Sequence, residues 1–269
     1  MTQTDLFRHL HTAGFLLPNA WDAASARLFE AAGFPAVGTT SAGISYARGR
    51  QDGQSLSRAD MLREVQAIVT AVGVPVNADI EAGYGDAPDV VAQTVREFAA
   101  LGVAGVNLED ATGRPASPLY PLEDQLRRVS AARAAAPDIF LNIRTDTFIT
   151  GFGRDDEERL AETIRRGQAY LEAGADGVFV PLAVDAATIG TLARELAGPL
   201  NVMAFPGAPS VPDLLAAGAK RVSVGQSVML AVMGFTARMA QELRETGTYD
   251  AMDTNFYGFS EAERLFARS

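Results

Sequence analysis

The chain has 269 residues, 48% hydrophobic and 21% charged, long and apolar enough to bury a large core and unlike a disordered segment. Its formal net charge is -10 and its arginines are scattered, which argues against nucleic acid or an anionic membrane as partner, because phosphate contacts draw on clustered positive charge. Cysteine is absent and the two histidines are His9 and His11, so the residue types behind disulfides, most zinc sites, thiol nucleophiles and Ser-His-Asp relays are missing. Lys220 is the single lysine. Chemistry must come from carboxylates, arginines, hydroxyls, backbone amides or a hard metal.

Met1 to Gly14 carries Asp5, Arg8, His9 and His11 where a secretion signal needs an apolar run, and no apolar stretch is long enough for a membrane span. The expectation is a soluble, cytoplasmic protein. In chain order, strands are predicted at Phe15 to Pro18, Ala36 to Thr40, Val74 to Asp79, Gly105 to Leu108, Ile139 to Arg144, Gly177 to Pro181, Leu200 to Ala204 and Arg221 to Val224. Helical periodicity fills Trp21 to Ala32, Ser57 to Val72, Pro88 to Leu101, Leu122 to Ala135, Arg154 to Ala173, Asp185 to Leu196 and Ser210 to Ala217. A weak repeat marks the helix-to-strand joints, as in Glu172-Ala-Gly-Ala-Asp-Gly and Ala216-Ala-Gly-Ala-Lys, each with a Gly able to take positive φ. Eight βα units without a linker predict one (β/α)8 TIM barrel domain over residues 1–269. Residues 226–269 form an extra C-terminal helical segment, with helices at Val228 to Arg244 and Ser260 to Ala267.

Active sites of such barrels lie at the C-terminal ends of the strands. There the third strand ends Asn77-Ala-Asp79-Ile-Glu81, the fourth Asn107-Leu-Glu109-Asp110 and the fifth Asn142-Ile-Arg144-Thr-Asp146; the second ends Thr39-Thr40-Ser41 before a loop with Asp52. Crowded carboxylates repel by about 4 kcal/mol per pair at about 4 Å and an effective dielectric of about 20, unless a cation or protons neutralise them. Oxygen-only ligands select a hard ion, Mg²⁺ or Mn²⁺. The competing reading is that Asp79 and Glu81 pair with barrel arginines.

Five segments in order, Pro18-Asn-Ala-Trp-Asp22, Gly49-Arg-Gln-Asp-Gly53, Val76-Asn-Ala-Asp-Ile-Glu-Ala-Gly-Tyr-Gly85, Asn107-Leu-Glu-Asp110 and Ile143-Arg-Thr-Asp146, resemble the isocitrate lyase and phosphoenolpyruvate mutase superfamily. The resemblance spans the barrel. It implies Asp79 as principal Mg²⁺ ligand, with Asp52, Glu81 and Glu109 holding the ion directly or through water, and Arg144 facing the substrate. It also implies a small 2-oxo acid or dicarboxylate as ligand and an enolate as intermediate, with Arg144 and Glu109 as catalytic residues. Thr39, Thr40 and Ser41 match the donors for the substrate carboxylate, although as residues they serve equally to cap a strand. Trp21 and Tyr84 wall a pocket or belong to the core; Asn201 meets the distal end of a ligand or bonds within the barrel; Arg144 faces substrate or pairs with Glu109 or Asp146.

This chain has Glu81 where family members usually have Asp. The Lys-Lys/Arg-Cys-Gly-His loop of the lyase branch is replaced by Asp110-Ala-Thr-Gly-Arg-Pro-Ala-Ser-Pro-Leu-Tyr120. Its composition gives a lid bearing Thr112, Arg114 and Ser117 or a plain surface loop. The expected activity is C-C cleavage releasing a 2-oxo acid, with C-P chemistry or oxaloacetate decarboxylation as alternatives. A phosphate-sugar enzyme using Phe205-Pro-Gly207 and Val224-Gly-Gln-Ser227, and a non-catalytic oxo-acid binder, stand as further readings. Family members often form dimers that exchange the eighth helix and pair into tetramers, so a homodimer or homotetramer is expected.

Overall fold

A computed structural model describes residues 1–267. Its strands are β1 (Phe15–Leu17), β2 (Asn19–Ala20), β3 (Val37–Thr39), β4 (Val76–Asp79), β5 (Gly105–Glu109), β6 (Phe140–Arg144), β7 (Gly177–Phe179), β8 (Leu200–Met203) and β9 (Arg221–Ser223). All pairs are parallel and the order is β1-β9-β8-β7-β6-β5-β4-β3-β2. The first strand, expected over Phe15 to Pro18, ends at Leu17, and a short further strand, Asn19–Ala20, follows Pro18, which has no N–H for the ladder. Because β1 pairs with β9 and β2 with β3, the ring closes through that proline and the architecture is a (β/α)8 barrel.

The helices are α1 (Gln3–Ala13), α2 (Ala23–Ala31), α3 (Ser41–Ala47), α4 (Arg58–Ala71), α5 (Pro88–Ala100), α6 (Leu122–Ala135), α7 (Asp156–Glu172), α8 (Ala186–Glu195), α9 (Val211–Ala216), α10 (Ser227–Glu245), α11 (Asp250–Asp253) and α12 (Phe259–Phe266). Side-chain caps fix where several begin: Asp22 accepts from Ser25 N, Ser57 from Asp60 N, Asp155 from Glu158 N and Asp185 from Thr188 N. Three helices were not expected. α1 starts at a Thr2/Asp5 capping box and packs Phe7 edge-on against Phe15 and Phe140, with His11 stacked on Phe140 at 4.0 Å. It therefore plugs the end of the barrel at which the strands begin. α3 occupies the segment expected to be a loop, and α11 lies in the C-terminal extension.

Register partners in a parallel sheet share a face, so the pairings Asp79–Asn107, Asn107–Asn142, Glu109–Arg144, Phe179–Asn201 and Asn201–Arg221 put these side chains in the barrel interior. Here the interior layers are rich in asparagine, where branched aliphatics are the rule. Gly105 makes room for them: a Cβ there would lie 2.7 Å from Phe140 O and 2.9 Å from Asn77 Oδ1. Between sheet and helices the apolar core runs through residues such as Val65, Ile68, Val95, Phe98, Val106 and Leu141. Among the described residues no helix is long and apolar enough to cross a membrane.

Candidate active site

At the C-terminal end of the strands lies a cavity of about 210 Å³ whose walls include the last residues of β4, β6, β7, β8 and β9: Asp79, Arg144, Phe179, Met203 and Ser223. Thr40, Ser41 and Asp52 close one side, and Asn107 is also in the lining. The α3 helix explains how the second strand delivers its polar residues. Thr40 caps it by accepting from Gly43 N at 3.2 Å, which turns Ser41 so that its N and Oγ donate to Asp79 Oδ2 at 3.0 and 2.8 Å. Thr39 accepts from Asp79 N at 2.9 Å through its hydroxyl. The Thr39 and Ser41 hydroxyls thus act on the end of β4, with Ser41 orienting Asp79, while the Thr40 hydroxyl caps α3.

Glu81 does not follow Asp79 along an extended strand. β4 ends at Asp79, and Glu81 has φ 50, a left-handed conformation that costs a non-glycine residue of order 1 kcal/mol or more. Its carboxylate accepts from Gln54 N and from the Tyr84 hydroxyl at 3.3 Å. Burial, then the charges of Asp79 and Asp52, push its pKa up to about 7. Asp52 is raised too, by burial and by Asp79. Glu109 is partly buried, and desolvation raises it well above the ordinary carboxylate range against the pull of Arg144.

Arg144 bridges two acids: Nη1 lies 2.6 Å from Glu109 Oε2, and Nε and Nη2 donate to the two oxygens of Asp146 at 2.6 and 2.8 Å. Burial alone would weaken its hold on its proton, but Glu109 and Asp146 outweigh it and keep the guanidinium charged. Asp146 is in turn placed by Asp110, whose Oδ1 accepts from Asp146 N at 2.9 Å and whose Oδ2 accepts from Thr145, Arg166 and Tyr170. The guanidinium is shared between Glu109 and Asp146, while Asp52, Asp79 and Glu81 receive hydroxyl and amide donors. The excess negative charge on that side matches a divalent cation. Among the described residues no three His, Cys, Asp or Glu side chains converge to cage an ion. The oxygen donors of Asp79 and Asp52 in the wall are of the type that suits a hard cation.

Other predicted residues lie elsewhere. Trp21 and Tyr84 pack against the apolar core, and Trp21 Cβ stands against the position a Gly43 side chain would need. Asn201 is consumed inside the barrel, donating to Val202 O, Arg221 O and Ser223 Oγ and accepting from Arg221 Nε. The stretch expected as lid is a closed turn: Thr112 N donates to Pro118 O at 2.8 Å, Thr112 Oγ1 to Ser117 O, and Ser117 N to Arg114 O at 3.0 Å. Arg114 pairs with exposed Asp86 at 2.8 Å, outside the cavity lining. The phosphate-binding alternative loses two of its donors, because the amides of Val224 and Gly225 both donate to Asn19 Oδ1, at 2.9 and 3.0 Å. Asn19 and Asn107 are site residues the sequence expectation missed; their signal was an asparagine at an inward position near a strand end.

The sequence profile of the phosphoenolpyruvate phosphomutase family matches residues 7–244. An uncharacterised protein of Mycobacterium tuberculosis is 38% identical over 221 residues, 81% of each chain. The 2,3-dimethylmalate lyase of Eubacterium barkeri is 35% identical over 175 residues, 61% of this chain and 57% of the lyase. A crystal structure of phosphonopyruvate hydrolase in complex with oxalate and Mg²⁺ superposes with a TM-score of 0.85 at 25% identity, covering 98% of this chain and 95% of the other. The chain belongs to the phosphoenolpyruvate phosphomutase family, within the isocitrate lyase and phosphoenolpyruvate mutase superfamily.

Proposed function

We propose that the protein is a Mg²⁺- or Mn²⁺-dependent enzyme that cleaves a C-C bond of a small 2-oxo acid, or of its 2-hydroxy acid precursor, through an enolate. The observation that carries this reading is the charge arrangement at the cavity: Asp79 and Asp52 in its wall with neutral donors, Glu81 buried behind them, and charged Arg144 also in the wall. The related hydrolase, crystallised with oxalate and Mg²⁺, supports the same ligand class. Asp79 would hold the ion, with Asp52, Glu81 and Glu109 directly or through water. Bound there, the ion would supply positive charge beside the acid's oxygens, lowering the energy of the negative charge that builds on the C2 oxygen of a 2-oxo acid when the electron pair of the broken bond at C3 stays behind as the enolate.

Arg144, fixed by the Asp146 fork, contributes a second cation at the same oxygens. Ser41 keeps Asp79 Oδ2 engaged at 2.8 Å, and Oδ1, which takes a long 3.5 Å hydrogen bond from Glu81 N, is the less engaged oxygen. Phe179, Met203 and Ile149 form the apolar part of the wall and restrict water near the reacting carbon. With no cysteine in the chain, the proton at C3 comes from water or a hydroxyl, which points away from the thiol-dependent isocitrate cleavage. The active form is assigned as a homodimer or homotetramer, on the strength of apolar side chains left exposed along α10 and beyond it, among them Leu230, Met233, Leu243 and Phe259.

Purified protein with Mg²⁺ is to be offered oxaloacetate, phosphonopyruvate, 2,3-dimethylmalate and 2-methylisocitrate, with products read by proton and phosphorus NMR. Release of an oxo acid from a carbon substrate supports the proposal. Release of phosphate or rearrangement of phosphonopyruvate alone assigns C-P chemistry, and ligand binding without turnover assigns a binder.

A further inference from the structure

Beneath the cavity, on the barrel axis, Arg221 is fully buried. Its guanidinium meets amide oxygens: Nε donates to Asn201 Oδ1 at 2.9 Å, Nη1 to Asn77 Oδ1 at 3.3 Å and Nη2 to Asn107 Oδ1 at 2.5 Å. Phe7 of the α1 plug stacks below it, 5.9 Å from ring centre to Cζ. Burial pulls its pKa down, to about 9, while Asp79 acts the other way, so it stays charged at neutral pH. A buried cation without a carboxylate in contact is an expensive way to fill a barrel, since apolar residues of the same volume are commonly neutral or better for stability.

What Arg221 does is visible at Asn107. The Asn107 Oδ1 accepts three hydrogen bonds, from Arg221 Nη2, Asn142 Nδ2 at 2.9 Å and Asn77 Nδ2 at 3.1 Å. A flipped amide would set its own N–H groups against those donors, so the orientation is fixed. The Asn107 Nδ2 is thereby turned away from the network. Asn107 lines the cavity, and its Nδ2 is not among the buried polar atoms left without a partner. In register it stands beside Asp79 and two residues before Glu109 on the same face of β5. A guanidinium on the carbonyl end also polarises the amide and makes its N–H a stronger donor.

We propose that Asn107 Nδ2 donates a hydrogen bond to a carboxylate or C2 oxygen of the bound acid, and that Arg221 is the positioning residue that holds and polarises this amide. The inference rests on the oxo-acid reading of the cavity given above. It adds a donor from the floor to the cations at the sides, and it accounts for the asparagine-rich interior as a device for aiming one amide.

The test is calorimetric titration of oxalate into the full-length protein at saturating Mg²⁺, with Mg²⁺ titrated separately so that the two affinities are read apart. Asn107→Asp keeps the acceptor for Arg221, gives that cation a carboxylate and removes the donor. Its melting temperature is expected to stay level or rise while oxalate affinity falls about tenfold or more, a divergence that a packing role does not produce. Arg221→Met is expected to weaken oxalate as well, and to add nothing in an Asn107→Ala background, because Arg221 acts through that amide. If Arg221→Met does not fold, Asn107→Asp decides alone. Wild-type affinity in Asn107→Asp overturns the inference and leaves the oxo-acid reading standing. Failure of the parent protein to bind oxalate with Mg²⁺ overturns both.

Discussion

Asp146 grips Arg144 with both carboxylate oxygens, at 2.6 and 2.8 Å, while the remaining terminal nitrogen of Arg144 lies 2.6 Å from Glu109. The two residues are separated by one position at the end of β6, so the arginine that faces the cavity and the acid that aims it come from one short segment. Asp146 is itself nearly fully buried and anchored through its backbone to Asp110. The fork leaves Arg144 little freedom to leave the site.

Asp146→Asn keeps the volume but replaces one acceptor oxygen with an amide donor, breaking the fork. Turnover of the substrate found in the assay panel is expected to fall by up to about 100- to 1000-fold, the range for losing one preorganised charge-stabilising group. Mg²⁺ affinity measured by calorimetry should change little. Equal turnover in the variant would show that Arg144 does not depend on Asp146.

Glu81 provides a pH signature. Its carboxyl titrates at about 7 in the folded chain against an ordinary value of 4.5, so without metal the folded state holds its proton more tightly than the unfolded state. Stability is then lost as pH rises between those two values, by up to about 3 kcal/mol if the whole shift is expressed. Metal-free Glu81→Gln is expected to melt above the parent at pH 8 and near it at pH 5, with added Mg²⁺ closing the gap at pH 8. Thermal scans at the two pH values check this; a gap that does not change with pH would contradict it.

The C-terminal helices provide a mass signature. Met229 is the one buried residue of α10, although the helix carries Leu230, Val232 and Met233 with more than two fifths of their surface exposed. A second copy of the chain is the expected cover. Light scattering should give a dimer or tetramer for the full chain and a smaller mass after deletion of residues beyond Arg244. A monomeric parent would contradict the assignment.

The barrel was legible because many βα units carry their own punctuation: a capping acid or serine before α2, α4, α7, α8 and α9, and a positive-φ glycine after α2, α5, α7 and α9. The acidic rim was legible because Asp79, Glu109 and Arg144 end their strands. What was not legible depended on contacts distant in sequence. Pro18 separates two short strands only because β9 and β3 arrive on its two sides. Asn201 and Trp21 were candidates by residue type, yet Arg221 and the α3 helix claim them. Composition left Arg114 on a lid or on a plain surface loop, and Asp86 holds it at the surface. The role of Asn107 was hidden for the same reason, since its three donors come from β4, β6 and β9.

The most direct measurement is Mg²⁺ and Mn²⁺ binding to chelator-stripped protein by titration calorimetry, for the parent and for Asp79→Ala. The account predicts saturable uptake by the parent, release of protons at neutral pH as Glu81 ionises, and uptake weakened about tenfold or more in Asp79→Ala. No uptake by the parent, or the same uptake in both proteins, would contradict it.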